Sequence, residues 1–229
     1  MTDTMTYNLG NQMTSESFAG GNLNGLSITN AYDALLRRSS MKALNGASVI
    51  VSDVFNYDAA SRLASVADQN NNSATYSYLA NSPLVSEIVF QNNGVTRMTT
   101  TKQYDYLNRL TQISSAPSAA HVLPLTYNYN YNPANQRTKN TLADGSYWVY
   151  GYDSLGQVTN GCKFFSNGTP VPGQQFDYAF DTIGNRTQTL SGGDTNGANL
   201  RVANYYANNL NQLTNRDVPP CVDVMGRAS

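Results

Sequence analysis

Few residues of this chain have the types needed for chemistry, and they are scattered. Its single histidine, His121, stands between Ala120 and Val122, with Pro117 and Pro124 close by. Catalytic and metal sites need convergent partners, and no cysteine, acid or serine arrangement accompanies this imidazole, so it reads as a loop residue. Cys162 could act as a nucleophile, but it follows Asn160-Gly161, a turn signal, and no base is near it in sequence. A small, partly buried side chain is the simpler reading. Cys162 and Cys221 lie in no CxxC or metal spacing, so no disulfide scaffold is indicated.

The acids Asp33, Asp58, Asp105, Asp153 and Asp181 recur in a regular way, and repeated carboxylates at turns raise the question of calcium. Calcium takes about six to eight oxygens, usually from several acids in one short loop. Here the acids arrive singly, and Asn132 takes the same place in its segment. Capping of turns is the reading that fits. Gly192-Gly193-Asp194 and Gly20-Gly21 sit in no phosphate-binding pattern and read as turns. No catalytic residue, cofactor or metal is expected.

What positions these acids is a repeat. Each follows an aromatic residue, and the aromatics Tyr7, Tyr32, Tyr57, Tyr78, Tyr104, Tyr131, Tyr152, Phe180 and Tyr206 open nine segments spaced about 25 residues apart, a period typical of repeat arrays. The segment reads aromatic, Asp or Asn, two variable residues, Gly or Asn, Gln or Arg, an apolar residue or Arg, then Thr. Tyr104-Asp105-Tyr106-Leu107-Asn108-Arg109-Leu110-Thr111 and Tyr152-Asp153-Ser154-Leu155-Gly156-Gln157-Val158-Thr159 show it most clearly. Tyr57-Asp58 with Arg62, Tyr131-Asn132 with Arg137, and Phe180-Asp181 with Gly184 and Arg186 follow closely. Tyr32-Asp33 belongs to the same series, the segment at Tyr78 is degenerate, and the one at Tyr206 fits with a one-residue slip.

Composition agrees with strands and turns. Charged residues make up 13% of the chain, about half the usual share, which argues against solvated helical surfaces. Sixteen Tyr and 17 Gly favour strands and tight turns, and helix should be scarce. A net charge of −1 provides no basic field for a phosphate backbone, so nucleic-acid binding is not expected. No stretch is apolar enough to span a bilayer, and Met1-Thr2-Asp3-Thr4-Met5-Thr6 lacks the marks of a signal peptide.

Ahead of each repeat aromatic, side chains alternate with period two, as in Tyr127, Tyr129 and Tyr131, in Trp148, Tyr150 and Tyr152, and in Phe176, Tyr178 and Phe180. That is a strand with one aromatic face. The Asp or Asn can hydrogen-bond the backbone two residues on, and the Gly or Asn three residues later tolerates positive φ, so the chain reverses there. Asn45-Gly46, Asn93-Gly94, Asp144-Gly145 and Asn160-Gly161 supply a second set of hairpin turns. Each segment is then a hairpin whose aromatics pack on the next one and bury a continuous stripe. The fold expected is all-β: tandem antiparallel hairpins, about eighteen strands, in a long curled ribbon.

The segments resemble the YD repeats of Rhs proteins and of the shell-forming components of bacterial Tc toxins, over almost the whole chain from Tyr7 to Leu213. The resemblance implies a ribbon that spirals into a hollow shell around a toxic C-terminal domain. It implies as partners the remaining shell and that effector, with secretion or surface association as part of a larger protein. We expect a repeat array over 1–217 and a truncated further unit or linker over 218–229, as though the chain were a segment of a longer one. No self-cleaving motif or toxin domain is recognisable, so the expected role is structural and non-catalytic. Exposed edge strands would allow self-association. The alternative is an extracellular carbohydrate-binding or adhesive surface, because aromatic faces bordered by Asn and Gln amides suit sugar rings and hydroxyls.

Overall fold

A computed structural model describes residues 1–217. The expectations that fall on Cys221 and on the segment 218–229 therefore lie outside the described residues. By internal contacts the chain divides into two compact units, Met1–Gln103 with Ser114–Pro124, and Tyr104–Ile113 with Leu125 onward. Eighteen strands and one short 3-10 turn, Gly21–Leu23, make up the regular structure of the described residues. No helix among these residues is long and apolar enough to cross a membrane.

In the first unit nine strands follow one another as an antiparallel meander: β1 (Thr2–Tyr7), β2 (Met13–Ala19), β3 (Leu26–Tyr32), β4 (Arg38–Asn45), β5 (Ser48–Tyr57), β6 (Leu63–Asp68), β7 (Asn72–Tyr78), β8 (Val85–Asn92) and β9 (Val95–Tyr104). Each pairs with the next. β10 (Leu110–Pro117) has its residues divided between the two units. The second unit continues with β11 (Leu125–Tyr131), β12 (Arg137–Thr141), β13 (Tyr147–Tyr152), β14 (Val158–Phe164), β15 (Pro170–Phe180), β16 (Arg186–Gly192), β17 (Leu200–Ala207) and β18 (Leu213–Arg216), again paired in chain order.

The register slips at the same place in every repeat hairpin. Tyr32 pairs with Arg38, Tyr57 with Leu63, Tyr131 with Arg137, Tyr152 with Val158 and Phe180 with Arg186, each with an irregularity just before the aromatic. The cause is the loop between them. Leu36 N–H donates to the Asp33 carbonyl and Asp33 N–H to the Arg37 carbonyl, closing a turn followed by a left-handed residue, a standard hairpin connection. The left-handed place is held by Leu36, Ser61, Asn108, Asn135, Gly156, Gly184 and Asn211.

Two expectations are corrected. First, Asn160-Gly161 does not turn; both residues lie inside β14, opposite Gly151 and Tyr150 on one side and Asp177 and Phe176 on the other. The turn forms instead at Asn167-Gly168, where Asn167 Oδ1 accepts from the Thr169 N–H and hydroxyl and Gly168 has φ 85°. Those local bonds, together with two intact ladders through β14, outweigh the turn preference of the earlier dipeptide. Cys162 accordingly sits in a strand.

Second, the aromatics do not form a continuous buried stripe. Among the described residues only Val171 and Ala203 are buried apolar side chains, at 8% and 3% exposure, and no large side chain is fully enclosed. Within each unit a strand contacts mainly its ladder neighbours, and the rings are only partly covered. Direct ring stacking joins Tyr147 with Phe164, and Trp148 with Tyr150 and Phe176. The one-residue slip expected of the ninth segment is present: Ala207, not Tyr206, pairs with Leu213 and precedes the Asn208 turn.

Candidate functional site

With few side chains fully buried among the described residues, neighbouring hairpins within each unit are bound laterally through their turn loops. Asp33 Oδ1 accepts the N–H groups of Leu35 and Arg37, both at 2.9 Å, and Oδ2 accepts Arg37 Nε at 2.7 Å. Asp58 repeats this with Ala60 and Arg62, and Asp105 with Leu107 and Arg109. Each carboxylate thus fixes its own loop and aims a guanidinium outward.

These guanidiniums reach the following hairpin. Arg37 lies 4.4 Å above the Tyr57 ring and donates to Ser61 Oγ. Arg62 lies 4.3 Å above Tyr78 and donates to the Ser82 carbonyl. Arg109 lies 4.9 Å above Tyr131 and donates to the Asn132 carbonyl and Asn135 Oδ1. Each combines an ion pair, a cation–π contact and a hydrogen bond to the next loop.

The tyrosines answer in the opposite direction. The hydroxyls of Tyr32, Tyr57, Tyr78, Tyr131 and Tyr152 donate to the carbonyls of Met13, Arg38, Leu63, Leu110 and Arg137 at 2.7–2.9 Å. Every acceptor is the first residue of the returning strand of the preceding hairpin. The repeat tyrosine therefore bonds backwards along the chain, to the preceding segment and not the following one. Tyr7, the first of the series, is 54% exposed and its hydroxyl meets only Met5 Sδ. Tyr104 packs with partial burial, which raises its phenol pKa.

Where the Arg is absent an amide takes its part. Asn132 Nδ2 donates to Gln136 Oε1 at 2.6 Å, and Asn185 Nδ2 donates to Asp181 Oδ2 at 2.9 Å. Asp153 Oδ1 accepts the N–H groups of Leu155 and Gln157. A methyl placed on Gly156 would stand 3.2 Å from Gln136 Nε2, and one on Gly184 3.1 Å from Gln157 Nε2. With φ of 84° and 90°, these two positions favour glycine, both for the backbone and for the closeness of the neighbouring amide. Arg137 and Arg186, displaced one place along, stack on Tyr129 at 4.2 Å and on Tyr178 at 5.0 Å.

The electrostatics follow the geometry. The Arg37 side chain and then its N–H hold the Asp33 carboxyl below its ordinary pKa, and the Arg62 N–H and side chain do the same for Asp58 against desolvation. At Asp105 desolvation pushes upward but the Arg109 N–H and guanidinium outweigh it. Asn185 lowers Asp181 in the same way. Burial pushes the Cys162 thiol up, away from the thiolate a nucleophile needs. His121 is exposed in the loop after β10 with φ 65°, far in sequence from these loops. Among the described residues no group of three or more His, Cys, Asp or Glu could hold a metal. The arrangement does mechanical work, clamping hairpin to hairpin.

The turn acids, the aromatics and the one-residue slip of the ninth segment are legible in the sequence; this clamp is not. The signal lay in the position five residues after the repeat aromatics, which holds Arg37, Arg62 and Arg109, an amide in most other segments, and Pro83 in the degenerate one at Tyr78.

No protein-family model matches the chain. No curated protein matches it. Solved structures do share its fold. A crystal structure of TcdB2-TccC3-Cdc42 superposes with TM-score 0.62 at 13% identity, covering 93% of this chain and 13% of that chain. The Photorhabdus luminescens Tc holotoxin pore bearing a TccC3 mutation gives TM-score 0.60 at 14% identity, covering 93% and 13%. TcdB2-TccC3 without its hypervariable C-terminal region gives 0.61 at 14%, covering 90% and 13%. The YD-repeat resemblance and the fold thus agree, and this chain spans about an eighth of the length of those it matches.

Proposed function

We propose that this array is a non-catalytic wall segment of a larger β-shell that encloses or carries an effector domain belonging to the rest of a longer polypeptide. The observation that carries the reading is the lateral clamp: a sheet with almost no core, held hairpin to hairpin by Arg62, Tyr78 and their counterparts, suits an extended wall and not a self-contained globule. A second support is the fold shared with a stretch of the TcdB2-TccC3 chains. The loop tips add a third. Leu35, Leu107, Leu155 and Ile183 are 65%, 64%, 71% and 66% exposed at one repeating position, a pattern suited to burial against further wall or a second copy. Export as part of that longer protein, to the cell surface or beyond, belongs to the same proposal.

The carbohydrate reading has one observation in its favour, an open groove lined by Tyr131, Asn135, Arg137, Tyr150 and Tyr152. Sugar stacking needs a free ring face, however, and cations lie over Tyr57, Tyr78, Tyr129, Tyr131 and Tyr178. The wall is the better fit.

The test uses the polypeptide frame that continues this array, with an effector domain as its C-terminal part. Limited proteolysis of the intact product should leave the effector protected, and deleting residues 1–217 should expose it to cleavage. Equal protection with and without the array overturns the wall reading. A glycan array giving a specific hit, lost when Tyr150 and Tyr152 are replaced by Ala, would favour the adhesive one.

A further inference from the structure

The ninth hairpin lacks the ring that the others supply. Its slip and turn are those of the hairpins at Tyr32, Tyr57, Tyr131, Tyr152 and Phe180: Ala207 pairs with Leu213, and Asn208 Oδ1 accepts the N–H groups of Leu210 and Gln212. At the equivalent place, Tyr152 pairs with Val158 and sends its hydroxyl to the Arg137 carbonyl at 2.7 Å. The residue matching Arg137 in the eighth hairpin is Arg186, which pairs with Phe180 as Arg137 pairs with Tyr131. A methyl group thus stands where a phenol would otherwise reach the Arg186 carbonyl.

The space is open. Asn185, Arg186, Tyr205, Ala207, Asn211 and Leu213 line a notch of about 180 Å³, and an engineered apolar cavity of about 150 Å³ is enough to admit benzene. Its walls suit an aromatic ring. Leu213 and the Ala207 methyl are apolar, and the Arg186 guanidinium among the lining residues, 5.8 Å from the Tyr205 ring centroid, favours a neighbouring π-face. Asn185 and Asn211, whose side chains meet at 3.4 Å, provide amides at the mouth. Tyr206 does not fill the gap; its hydroxyl is engaged with Asp217 Oδ2 at 3.2 Å.

We propose that this notch is a binding site for a tyrosyl side chain presented by a peptide segment, taking the ring position that Ala207 leaves vacant and donating its hydroxyl to the Arg186 carbonyl. The chain itself provides the template, since five of its own tyrosines make this bond to the preceding hairpin. The claim is independent of the wall reading: the site exists whatever the array encloses.

The test is an amide NMR titration of the full chain with N-acetyl-tyrosinamide and with p-cresol. Both should give saturable shifts confined to Asn185, Ala207, Asn211 and Leu213. The phenylalanine analogue, N-acetyl-phenylalaninamide, should bind about tenfold more weakly for want of one hydrogen bond. Ala207→Tyr should abolish binding of both ligands and raise Tm by about 2–4 °C, and Ala207→Phe should block the ligands with a smaller gain. Shifts that persist in Ala207→Tyr or Ala207→Phe, or that scatter over the other tyrosines, overturn the proposal. So does entry of p-cresol without the tyrosinamide, which would confine the notch to small phenols.

Discussion

The guanidinium of Arg62 stands 4.3 Å above the ring of Tyr78, while the hydroxyl of Tyr78 donates to the Leu63 carbonyl at 2.7 Å, right beside Arg62 in the chain. The two contacts interlock one hairpin with the next in opposite directions. Because they recur at Arg37 with Tyr57 and at Arg109 with Tyr131, neighbouring hairpins stabilise each other in the manner of repeat arrays.

Removing only the hydroxyl isolates one half of the clamp. Tyr131→Phe should cost about 1 kcal/mol, the net worth of a hydrogen bond, and Tyr131→Ala about 2 kcal/mol, because the ring is half-buried and also carries the cation–π contact. Tyr106, fully exposed at 106%, is the control and should tolerate either change. Thermal denaturation of the four variants is the check. Equal shifts at the two positions would contradict the backward bond.

Arg109 holds Asp105, covers Tyr131 and donates to Asn132 and Asn135 at once. Lysine has neither the planar fork nor the stacking surface for that. Arg109→Lys should therefore lose about 1 kcal/mol, measured by urea denaturation, and a Tyr131→Phe background should leave part of that loss intact. A neutral Arg109→Lys would mean that charge alone serves the loop.

The parts of this architecture visible in sequence are the local ones. Asp153 and Gly156 close a turn through bonds within five residues, and Tyr127, Tyr129 and Tyr131 alternate along one strand, so both features follow from spacing. The hairpin fold and the strand number came from these. What was not visible depends on which hairpin lies alongside. Nothing near Arg62 in the sequence indicates Tyr78, and Asn160-Gly161 carries a strong local turn signal that its pairing with β13 and β15 overrides. The burial expected of the aromatics failed for the same reason: an amphipathic period predicts a face, not whether a second layer covers it.

Two left-handed positions in the repeat turns break the local rule. Leu36 and Ser61 have φ of 61° and 62°, where a residue other than Gly or Asn costs about 1–2 kcal/mol. Leu36→Asn should relieve part of that strain, since the Gln12 Nε2 bond goes to the Leu36 carbonyl and survives the change. We expect a gain of about 0.5–1 kcal/mol, seen as a rise in Tm. A fall would show that the Leu36 side chain, 58% exposed, stabilises its loop by some other contact.

The last prediction concerns acid. Asp33, Asp58 and Asp105 all have carboxyls held below their ordinary pKa, by Arg37, Arg62 and Arg109 respectively, in each case against an opposing desolvation. A depressed folded-state pKa means that the unfolded chain binds more protons as the pH falls, so the stabilisation is complete above about pH 4 and is lost as the pH drops through the folded values. Tm should be flat from neutral pH down to about 5 and should fall steeply below about 4. Replacing Asp33, Asp58 and Asp105 together by Asn substitutes the amide that the chain already uses at Asn132. The triple variant should be less stable at neutral pH, where three ion pairs are gone, and its acid limb should be shallower than that of the parent. An acid limb of unchanged slope would place the titrating groups elsewhere, in Asp68, Asp144, Asp181 and Asp194, whose carboxyls are lowered by loop bonds of their own.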